Sequence, residues 1–236
     1  MIKTCILSGA TSGIGLSLAK LMLDKGFKVY GLSATKNNWD AAKEAVYHNI
    51  NFVLDTVDVS NEEAVKSFID QVIKTDQQID LLINNAGYID QGYLLEDIPT
   101  EEFQKNIDIN LYGVYYMCKY AIPHMKSPEK KIINVSSNAG RFGCPKIAAY
   151  SAAKFAVVGL TQAMTKENAE YGLEFYCICP GGTNTPMREK IFNDANQQQS
   201  PDFVADRIAA VISGDLAAEN GSSITIRHNE VSIAKI

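Results

Sequence analysis

The chain has 236 residues, of which 46% are hydrophobic, and a formal net charge of −5 at pH 7. A chain of this length and composition can bury a full core, and α/β domains of this size are commonly single units. The mild negative charge and the lack of a Lys/Arg cluster make nucleic acid and anionic membrane surfaces unexpected partners.

The sequence carries no pattern typical of a targeting signal or a metal site. Its first residues lead directly into a glycine-rich turn, without the apolar segment of about 7–15 residues and the cleavage site of a signal peptide. No run approaches the ~20 apolar residues that a membrane helix needs. The 5 cysteines form no CxxC pair and the 3 histidines lie apart, which predicts reduced, buried thiols and no metal. A soluble cytoplasmic protein is the simplest prediction.

The first half of the chain alternates between short apolar runs, typical of buried strands, and amphipathic stretches, typical of helices. The predicted elements in chain order are a strand at 2–8, a helix at 16–25, a strand at 27–33, a helix at 38–48, a strand at 52–54, a helix from a capping box at 60–63 to about 74, and a strand at 79–83.

The second half continues this alternation, which predicts a parallel sheet covered by helices on both faces. Its predicted elements are a helix at roughly 101–125, a strand at 131–135, a helix at 149–171, a strand at 173–178, a helix from a Ser-Pro-Asp cap at 200–202 to about 212, and a strand at 223–227. The residues after 227 are predicted to form a polar tail. No linker or repeat divides the sequence, so one domain over residues 1–236 is expected.

Three glycines, Gly9, Gly13 and Gly15, lie between the first predicted strand and the first predicted helix. This context is typical of a phosphate-binding turn, where glycines permit a tight turn and a close approach of the backbone. The helix N-terminus would offer free N–H groups and partial positive charge to a pyrophosphate. A turn that merely connects two elements is the alternative.

Two tyrosine–lysine pairs have a spacing of four residues, Tyr150 with Lys154 and Tyr115 with Lys119. Residues four apart share one face of a helix. A lysine ammonium a few Å from a phenol is expected to lower the pKa of the phenol, so that the tyrosine can exchange a proton with a substrate oxygen. Spacing alone does not choose between the two pairs, although Ser137, upstream of Tyr150, could hold the same oxygen.

Motifs along the chain share the order and spacing of one known family. Residues 8–15 resemble a TGxxxGIG turn with Ser8 in place of threonine, residues 84–87 match NNAG, and residues 150–154 match YxxxK. With these motifs the chain is similar to the short-chain dehydrogenase/reductase family, in its single-domain branch, over nearly its whole length. The resemblance implies a Rossmann-type doubly wound parallel sheet of about seven strands flanked by helices. It also implies an NAD(P)-dependent oxidoreductase acting on a carbonyl or alcohol substrate.

The resemblance implies a set of cofactor contacts. Asp58 and Val59 match the pair beside the adenine ring, and residues 180–185 match the turn that holds the nicotinamide carboxamide. Capping of a helix approach is the alternative role for Asp58, and a strand-end hydrogen bond is the alternative for Asn84. The implied contact residues are Gly9, Thr11, Ser12, Gly13, Ile14, Gly15, Ser33, Asp58, Val59, Asn85, Ala86, Gly87, Tyr150, Lys154, Pro180, Gly181, Thr183 and Thr185.

Position 33 bears on the choice between NAD and NADP. NAD-specific relatives carry an acid at the end of the second strand, where this chain has Ser33. Ser33, Thr35 and Lys36 could instead contact a 2′-phosphate. However, the basic residues common in NADP-preferring relatives are missing at Ala34 and Ser12. We expect NADP, with NAD as the alternative.

The resemblance implies four catalytic residues: Asn110, Ser137, Tyr150 and Lys154. Tyr150 would act as general acid in reduction and as general base in oxidation. Ser137 would stabilise charge on the substrate oxygen. Lys154 would lower the pKa of Tyr150 and hold the nicotinamide ribose, and Asn110 would help to hold a water that connects Lys154 to solvent.

The resemblance also separates these residues from their rivals. Ser136 is an alternative to Ser137, but the family spacing to the tyrosine favours Ser137. Tyr115 and Lys119 have no family role, and we interpret them as packing or interface residues.

Substrate contacts are expected from three loops, at 88–95, 140–147 and 186–199. The predicted apolar lining consists of Leu94, Phe142, Ile147 and Met187. Arg188 is interpreted as a solvated charge, with an acidic substrate group as the alternative. The fold does not identify the substrate.

Two further expectations concern assembly and activity. The helices around residues 110 and 150 resemble those that pair relatives, so a homodimer or homotetramer is expected. The alternatives to an enzyme of this family are a non-catalytic NAD(P)-binding sensor or scaffold, and an NDP-sugar epimerase or dehydratase, which would need a larger C-terminal part.

Overall fold

A computed structural model describes residues 2–192, 198–228 and 230–234 of the chain. The described residues form an eight-stranded sheet with the order β3-β2-β1-β4-β5-β6-β7-β8. The strands are β1 Thr4–Ser8, β2 Lys28–Ser33, β3 Phe52–Thr56, β4 Leu81–Asn84, β5 Lys131–Val135, β6 Glu174–Pro180, β7 Ser223–Arg227 and β8 Glu230–Ala234.

Helices connect the strands and cover both faces of the sheet. They are α1 Gly13–Asp24, α2 Trp39–Ala45, α3 Glu62–Asp76, α4 Thr100–Ile107, α5 Gly113–Ala121, α6 Ala148–Glu167, α7 Pro186–Glu189 and α8 Pro201–Ser213. Short 3-10 turns occupy Leu95–Asp97, Ile122–His124, Asn138–Gly140 and Ala169–Tyr171. None of the helices within the described ranges is long and apolar enough to cross a membrane.

Alternation of side chains along the buried strands divides the core into two layers. On one face, Leu7 and its neighbours pack against α1 and α8, which contribute Leu18 and Ile208. On the other face, Ile6 belongs to the cluster that contains residues of α3, α5 and α6. The apolar runs recognised in the sequence are continuous because both faces of these strands are buried.

The order in which strands are added to the sheet reverses between β1 and β4. Strands β2 and β3 extend the sheet on one side of β1, and β4 to β7 extend it on the other side. Strands β1 to β7 are parallel, and β1 pairs with β2 on one side and with β4 on the other. In such a sheet, ligands bind beyond the carboxyl ends of the strands at the point where the strand order reverses. This topology places the segments that follow Ser8, Asn84, Val135 and Pro180 along one edge.

The predicted polar tail is wrong, because residues 230–234 form an eighth strand. Strand β8 runs antiparallel to β7, with Arg227 opposite Glu230 and Ser223 opposite Ala234. Its side chains are only partly buried or exposed, as expected for an edge strand with one neighbour, so no apolar run marks it in the sequence. Residues 229 and 235–236 lie outside the described part of the chain.

Two helix predictions also need correction. The α3 helix begins after Asn61, whose side chain accepts a hydrogen bond from the Ala64 N–H, so Asn61 rather than Ser60 is the N-cap. The predicted helix over 101–125 is interrupted between α4 and α5 by a π-helical turn, Asp108–Tyr112. Such turns often occur at functional sites.

Candidate active site

A cavity of about 310 Å³ opens at the carboxyl edge of the sheet. Gly9, Asn85, Val135 and Pro180, which end or follow four neighbouring strands, all contribute to its wall. The cavity therefore lies where the reversal of strand order predicts a ligand site.

Most of the residues singled out from the sequence meet in this cavity. Those that line it are Gly9, Ser12, Gly13, Ile14, Asn85, Ala86, Gly87, Ser137, Tyr150, Lys154, Pro180, Gly181, Thr183 and Thr185. Those that do not line it are Thr11, Gly15, Ser33, Asp58, Val59 and Asn110.

The glycine turn is packed against its neighbours too closely to leave room for side chains. Gly9 and Gly13 have left-handed φ values of +68° and +50°, which favour glycine. A Cβ atom on Gly15 would lie 2.0 Å from the Gly9 carbonyl oxygen. Because the Ser12 side chain makes no cap hydrogen bond, the first N–H groups of α1 are left for another partner. This backbone cradle at a helix N-terminus fits a pyrophosphate.

A second segment packs against the same turn and completes the cradle. The Asn85 side chain donates to the Ser8 carbonyl at 3.0 Å, and the N–H groups of Asn85 and Ala86 each donate to the Ser8 hydroxyl at 3.0 Å. The serine in place of the family's threonine therefore supplies the hydroxyl that joins the ends of β1 and β4.

Tyr150 and Lys154 lie on α6 and both face the cavity. Lys154 is 3% exposed, and its ammonium donates to the Val135 carbonyl at 3.0 Å. The ammonium lies 5.6 Å from the centroid of the Tyr150 ring. The helix thus presents the phenol at the cavity wall and the lysine directly behind it.

The expected lowering of the Tyr150 pKa is not found. Burial raises the pKa of Tyr150 to about 12, although a hydrogen bond with the Ser137 hydroxyl opposes this rise. Burial also lowers the pKa of Lys154 to about 8. Desolvation favours the neutral form of each group, and at this separation it outweighs the attraction that the four-residue spacing suggested.

Hydrogen bonding distinguishes the two candidate serines. The Ser136 hydroxyl is buried and donates to the Lys154 carbonyl at 2.8 Å, so it holds α6 against β5. The Ser137 side chain accepts from the Ala139 N–H at 3.1 Å, lines the cavity beside Tyr150 and opposes the rise of the Tyr150 pKa. The geometry therefore favours Ser137 as the serine that meets a substrate oxygen.

Asn110 lies in the π-helical turn and is fully buried. Its side-chain oxygen accepts from the Tyr88 N–H at 3.1 Å, and its amide donates to the Tyr88 carbonyl at 2.7 Å. A Cβ atom on Gly87 would lie 3.1 Å from this oxygen and 3.7 Å from the Lys154 ammonium. Asn110 therefore stands behind Gly87, close to Lys154, and does not itself reach the cavity.

Four further residues predicted to contact the cofactor, Thr11, Ser33, Asp58 and Val59, are not part of the cavity lining. The Thr11 hydroxyl is 3.4 Å from the Ser33 hydroxyl at the end of β2. Asp58 is exposed and accepts hydrogen bonds from the Ser60 N–H and hydroxyl at 2.9 and 2.7 Å, which is the capping arrangement given above as its alternative role.

The second tyrosine–lysine pair has a different environment. The Lys119 ammonium bonds to the Glu62 carboxylate at 2.6 Å, and the Tyr120 hydroxyl bonds to the same oxygen at 2.9 Å. These contacts join α3 and α5 at the surface, so the identical spacing of Tyr115 and Lys119 serves packing.

The apolar part of the cavity differs from the prediction. Ile147 and Met187 line it, whereas Leu94 and Phe142 are 50% and 61% exposed and do not. Ile89, Cys144 and Phe192 were not predicted; they are single apolar residues within loops, where no periodic pattern reports burial. Arg188 also lines the cavity, with its guanidinium 4.5 Å from the Phe192 ring centroid, so it is not the solvated charge expected. Residues 193–197 of the predicted loop lie outside the described part of the chain.

Residues 2–192, 198–228 and 230–234 contain no candidate metal site. No group of three or more His, Cys, Asp or Glu side chains in these ranges could hold a metal ion.

Comparison with known proteins identifies the family. The model of the short chain dehydrogenase family matches residues 3–196. The chain is 31% identical over 227 residues to an NADPH-dependent pterin aldehyde reductase of Arabidopsis thaliana, with 95% of this chain and 93% of that protein covered. It is 33% identical over 199 residues to a 3-oxoacyl-(acyl-carrier-protein) reductase of Thermotoga maritima, covering 83% and 80% of the two chains.

A solved structure shows the same architecture. The structure of ElxO with NADP bound superimposes with a TM-score of 0.87 at 27% identity, covering 96% of this chain and 97% of the other. The chain belongs to the short-chain dehydrogenase family. It is an NAD(P)-dependent oxidoreductase that acts on a small molecule, and these matches give no support to the alternative of a non-catalytic sensor or scaffold.

Proposed function

We propose that the protein reduces a carbonyl compound to an alcohol, with NADPH as the reductant and the reverse oxidation as its counterpart. The observation that carries this proposal is the arrangement of Ser137 and Tyr150, which both line the cavity wall, with the Lys154 ammonium 5.6 Å from the centroid of the Tyr150 ring. Two hydroxyls that converge on one point can bind one carbonyl oxygen.

The protein residues manage charge and protons at that oxygen. A bound nicotinamide would supply the hydride in reduction and accept it in oxidation. Ser137 donates a hydrogen bond to the carbonyl oxygen and stabilises the negative charge that develops on it. Tyr150 donates its proton to the same oxygen, and in oxidation it accepts the proton of the alcohol.

Lys154 and Asn110 support this proton transfer. The Lys154 ammonium is fixed by the Val135 carbonyl and favours the phenolate that Tyr150 forms after it has given up its proton. Asn110 holds the backbone of residue 88 beside Lys154, which is the place where a water could connect the ammonium to solvent. Gly9, Gly13 and Gly15 shape the cradle for the pyrophosphate.

The surroundings of Ser33 support NADP over NAD. Strand β2 ends at Ser33, so no carboxylate stands at this position to repel a phosphate. The Ser33 hydroxyl donates to the Thr35 carbonyl at 2.7 Å. The ammonium groups of Lys36 and Lys43, from the segment that follows β2, lie 5.2 and 5.5 Å from the centroid of the Trp39 ring. The relatives named for NADPH and NADP agree with this choice, and NAD remains the second candidate.

Assembly and location are further parts of the proposal. Tyr112, Tyr115 and Phe155, on the π-helical turn, α5 and α6, are 42%, 39% and 45% exposed. Exposed aromatic side chains on neighbouring helices suit an interface, so we propose a homodimer or homotetramer. We also propose a single catalytic domain over residues 1–236 and a cytoplasmic location, which suits 5 free cysteines.

A panel of aldehydes, ketones and alcohols tests the proposal. Each compound is mixed with the protein and NADPH or NADH, and the absorbance of the reduced nicotinamide is followed. The proposal predicts turnover of at least one carbonyl class, with NADPH preferred, and turnover by Tyr150→Phe that is lower by about 10²–10⁴-fold. Tight cofactor binding without turnover across the panel would contradict it.

A further inference from the structure

A buried polar pair lies beside the site and has no part in the proton transfer described above. Asp90 is 2% exposed and Asn106 is fully buried. The Asn106 amide donates to Oδ2 of Asp90 at 3.0 Å, and the Gly92 N–H donates to Oδ1 of Asp90 at 2.8 Å. A buried carboxylate is costly unless its oxygens are hydrogen-bonded, and here each oxygen has a donor.

This pair is adjacent to the contacts of Asn110. Asn106 and Asn110 are four residues apart, and the Asn110 amide donates to the Asn106 carbonyl at 2.9 Å. Asn110 binds both the N–H and the carbonyl of Tyr88, while Asn106 binds the side chain of Asp90. Two asparagines on one face of the helix therefore hold residues 88 and 90 of the same loop.

The residue between these two anchors is Ile89, which lines the cavity. Ile89 cannot shift away from the cavity without breaking a buried hydrogen bond on one side of it or the other, and unpaired buried groups are costly. The position of this cavity wall is therefore set by polar contacts on the far side of the loop.

The tip of the same loop lies close to two other segments of the chain. Gly92 has a left-handed φ of +84°, and a Cβ atom there would lie 3.3 Å from Cγ2 of Ile191 and 3.8 Å from the Lys146 carbonyl oxygen. The turn that Asp90 makes with Gly92 thus fixes where the loop meets residues 146 and 191.

We propose that Asp90 and Asn106 form a positioning pair for the reaction. They hold residues 88–92 against α4, which keeps Ile89 at the substrate cavity and keeps the Tyr88 backbone in register with Asn110. This inference rests on the proposed function, and it names residues that determine how a substrate is seated rather than residues that touch reacting atoms.

Three variants and one control test the pair. Asp90→Asn places an amide donor against an N–H donor, either that of Gly92 or that of Asn106. Asp90→Ser keeps a short hydroxyl that can accept from the Gly92 N–H but cannot reach Asn106. The double variant Asp90→Asn/Asn106→Asp restores a donor–acceptor match between the two side chains. Asp97→Asn, at an exposed acid just beyond the same loop, is the matched control.

The measurements are the steady-state constants, the Kd for NADPH and amide hydrogen exchange. We expect Asp90→Asn and Asp90→Ser to lower kcat/KM for the carbonyl substrate by about tenfold, mainly through KM. The Kd for NADPH and the constants of Asp97→Asn should stay within about twofold of wild type. Exchange should accelerate at the amides of residues 88–92, and the double variant should recover part of the loss.

The outcomes separate positioning from general stability. Unchanged KM and unchanged exchange at residues 88–92 in folded Asp90→Ser would overturn the proposal, and so would a parallel loss of NADPH affinity and thermal stability. If Asp90→Asn does not fold, Asp90→Ser decides the question. If the wild-type protein turns over no carbonyl, the proposed function fails, while the exchange data still decide whether the pair anchors the loop.

Discussion

The Lys154 ammonium lies 5.6 Å from the centroid of the Tyr150 ring while it donates to the Val135 carbonyl at 3.0 Å. The hydrogen bond of the ammonium goes to the backbone, and burial is the largest influence on the pKa of both side chains. The pKa of Tyr150 rises to about 12 and the pKa of Lys154 falls to about 8. In this structure the pair is therefore poised toward its neutral forms, and charge on either group comes at a cost.

Replacing Tyr150 by phenylalanine tests the proton donor. The ring and its packing remain while the hydroxyl is lost, so kcat should fall by about 10²–10⁴-fold, the range attributed to general acid–base catalysis. NADPH affinity, measured by fluorescence titration, should stay nearly unchanged. Tyr115→Phe removes the hydroxyl of the second tyrosine–lysine pair and should leave kcat unaffected. Near-normal turnover by Tyr150→Phe would contradict the assigned role.

Replacing Lys154 by methionine is expected to abolish turnover and yet stabilise the protein at neutral pH. The pKa of Lys154 is lowered from 10.5 to about 8, so between these values the unfolded chain binds more protons and the free energy of unfolding rises with pH. At pH 7 the shift corresponds to a cost on the order of 3 kcal/mol, offset in part by the hydrogen bond to Val135.

Urea unfolding without cofactor at pH 7 and pH 10 measures this effect. Lys154→Met should be more stable than wild type by about 1–2 kcal/mol at pH 7, and the difference should shrink at pH 10. The raised pKa of Tyr150 acts in the opposite direction above pH 10, but it is common to both proteins. A variant that is less stable than wild type at pH 7 would show that the hydrogen bond outweighs desolvation.

Much of the fold and of the site could be predicted from the sequence. In these parts of the chain, the local pattern of apolar residues matches the residues that are buried in the structure. The strand at 223–227 is found with its predicted bounds, and the glycine turn and the YxxxK segment meet at one cavity as the resemblance implied. Apolar runs predict strands that are covered on both faces. The motifs predict positions where cofactor binding or proton transfer needs a particular kind of side chain.

The remaining features depend on partners distant in sequence. Strand β8 is half-exposed and exists because β7 offers an open edge, which no local pattern records. The π-helical turn accompanies the contacts of Asn110 with Tyr88, 22 residues away. The pKa of Tyr150 depends on burial among several loops. The spacing of Tyr150 and Lys154 on one helix predicts that they are neighbours, but it does not predict how deeply each side chain is buried.

The contact of Gly15 with the turn preceding it predicts a severe effect of one added methyl group. In Gly15→Ala the Cβ would lie 2.0 Å from the Gly9 carbonyl oxygen and 2.7 Å from the Asn85 side-chain nitrogen. The turn must shift, so the free energy of unfolding should fall by about 3 kcal/mol and NADPH binding should weaken at least tenfold. Gly143→Ala, with no atom within 4 Å of the added Cβ, is the control. Thermal unfolding and fluorescence titration report the two quantities, and equal behaviour of both variants would refute the close-packing argument.

Removal of β8 should expose the edge of β7 and cause association. A chain ending at His228 lacks the partner of Ile224 and Ile226, which pair with Ile233 and Val231 in the register of the hairpin. The free energy of unfolding should fall by roughly 2 kcal/mol, as for one newly exposed large apolar side chain. The unpaired N–H and carbonyl groups of β7 should then pair with other copies.

Light scattering at several concentrations should show that the shortened chain forms species larger than those of wild type. The control Ser232→Lys keeps the strand and changes only an exposed side chain, so it should not form such species. Unchanged stability and size of the shortened chain would contradict the role of β8 in covering the edge of β7.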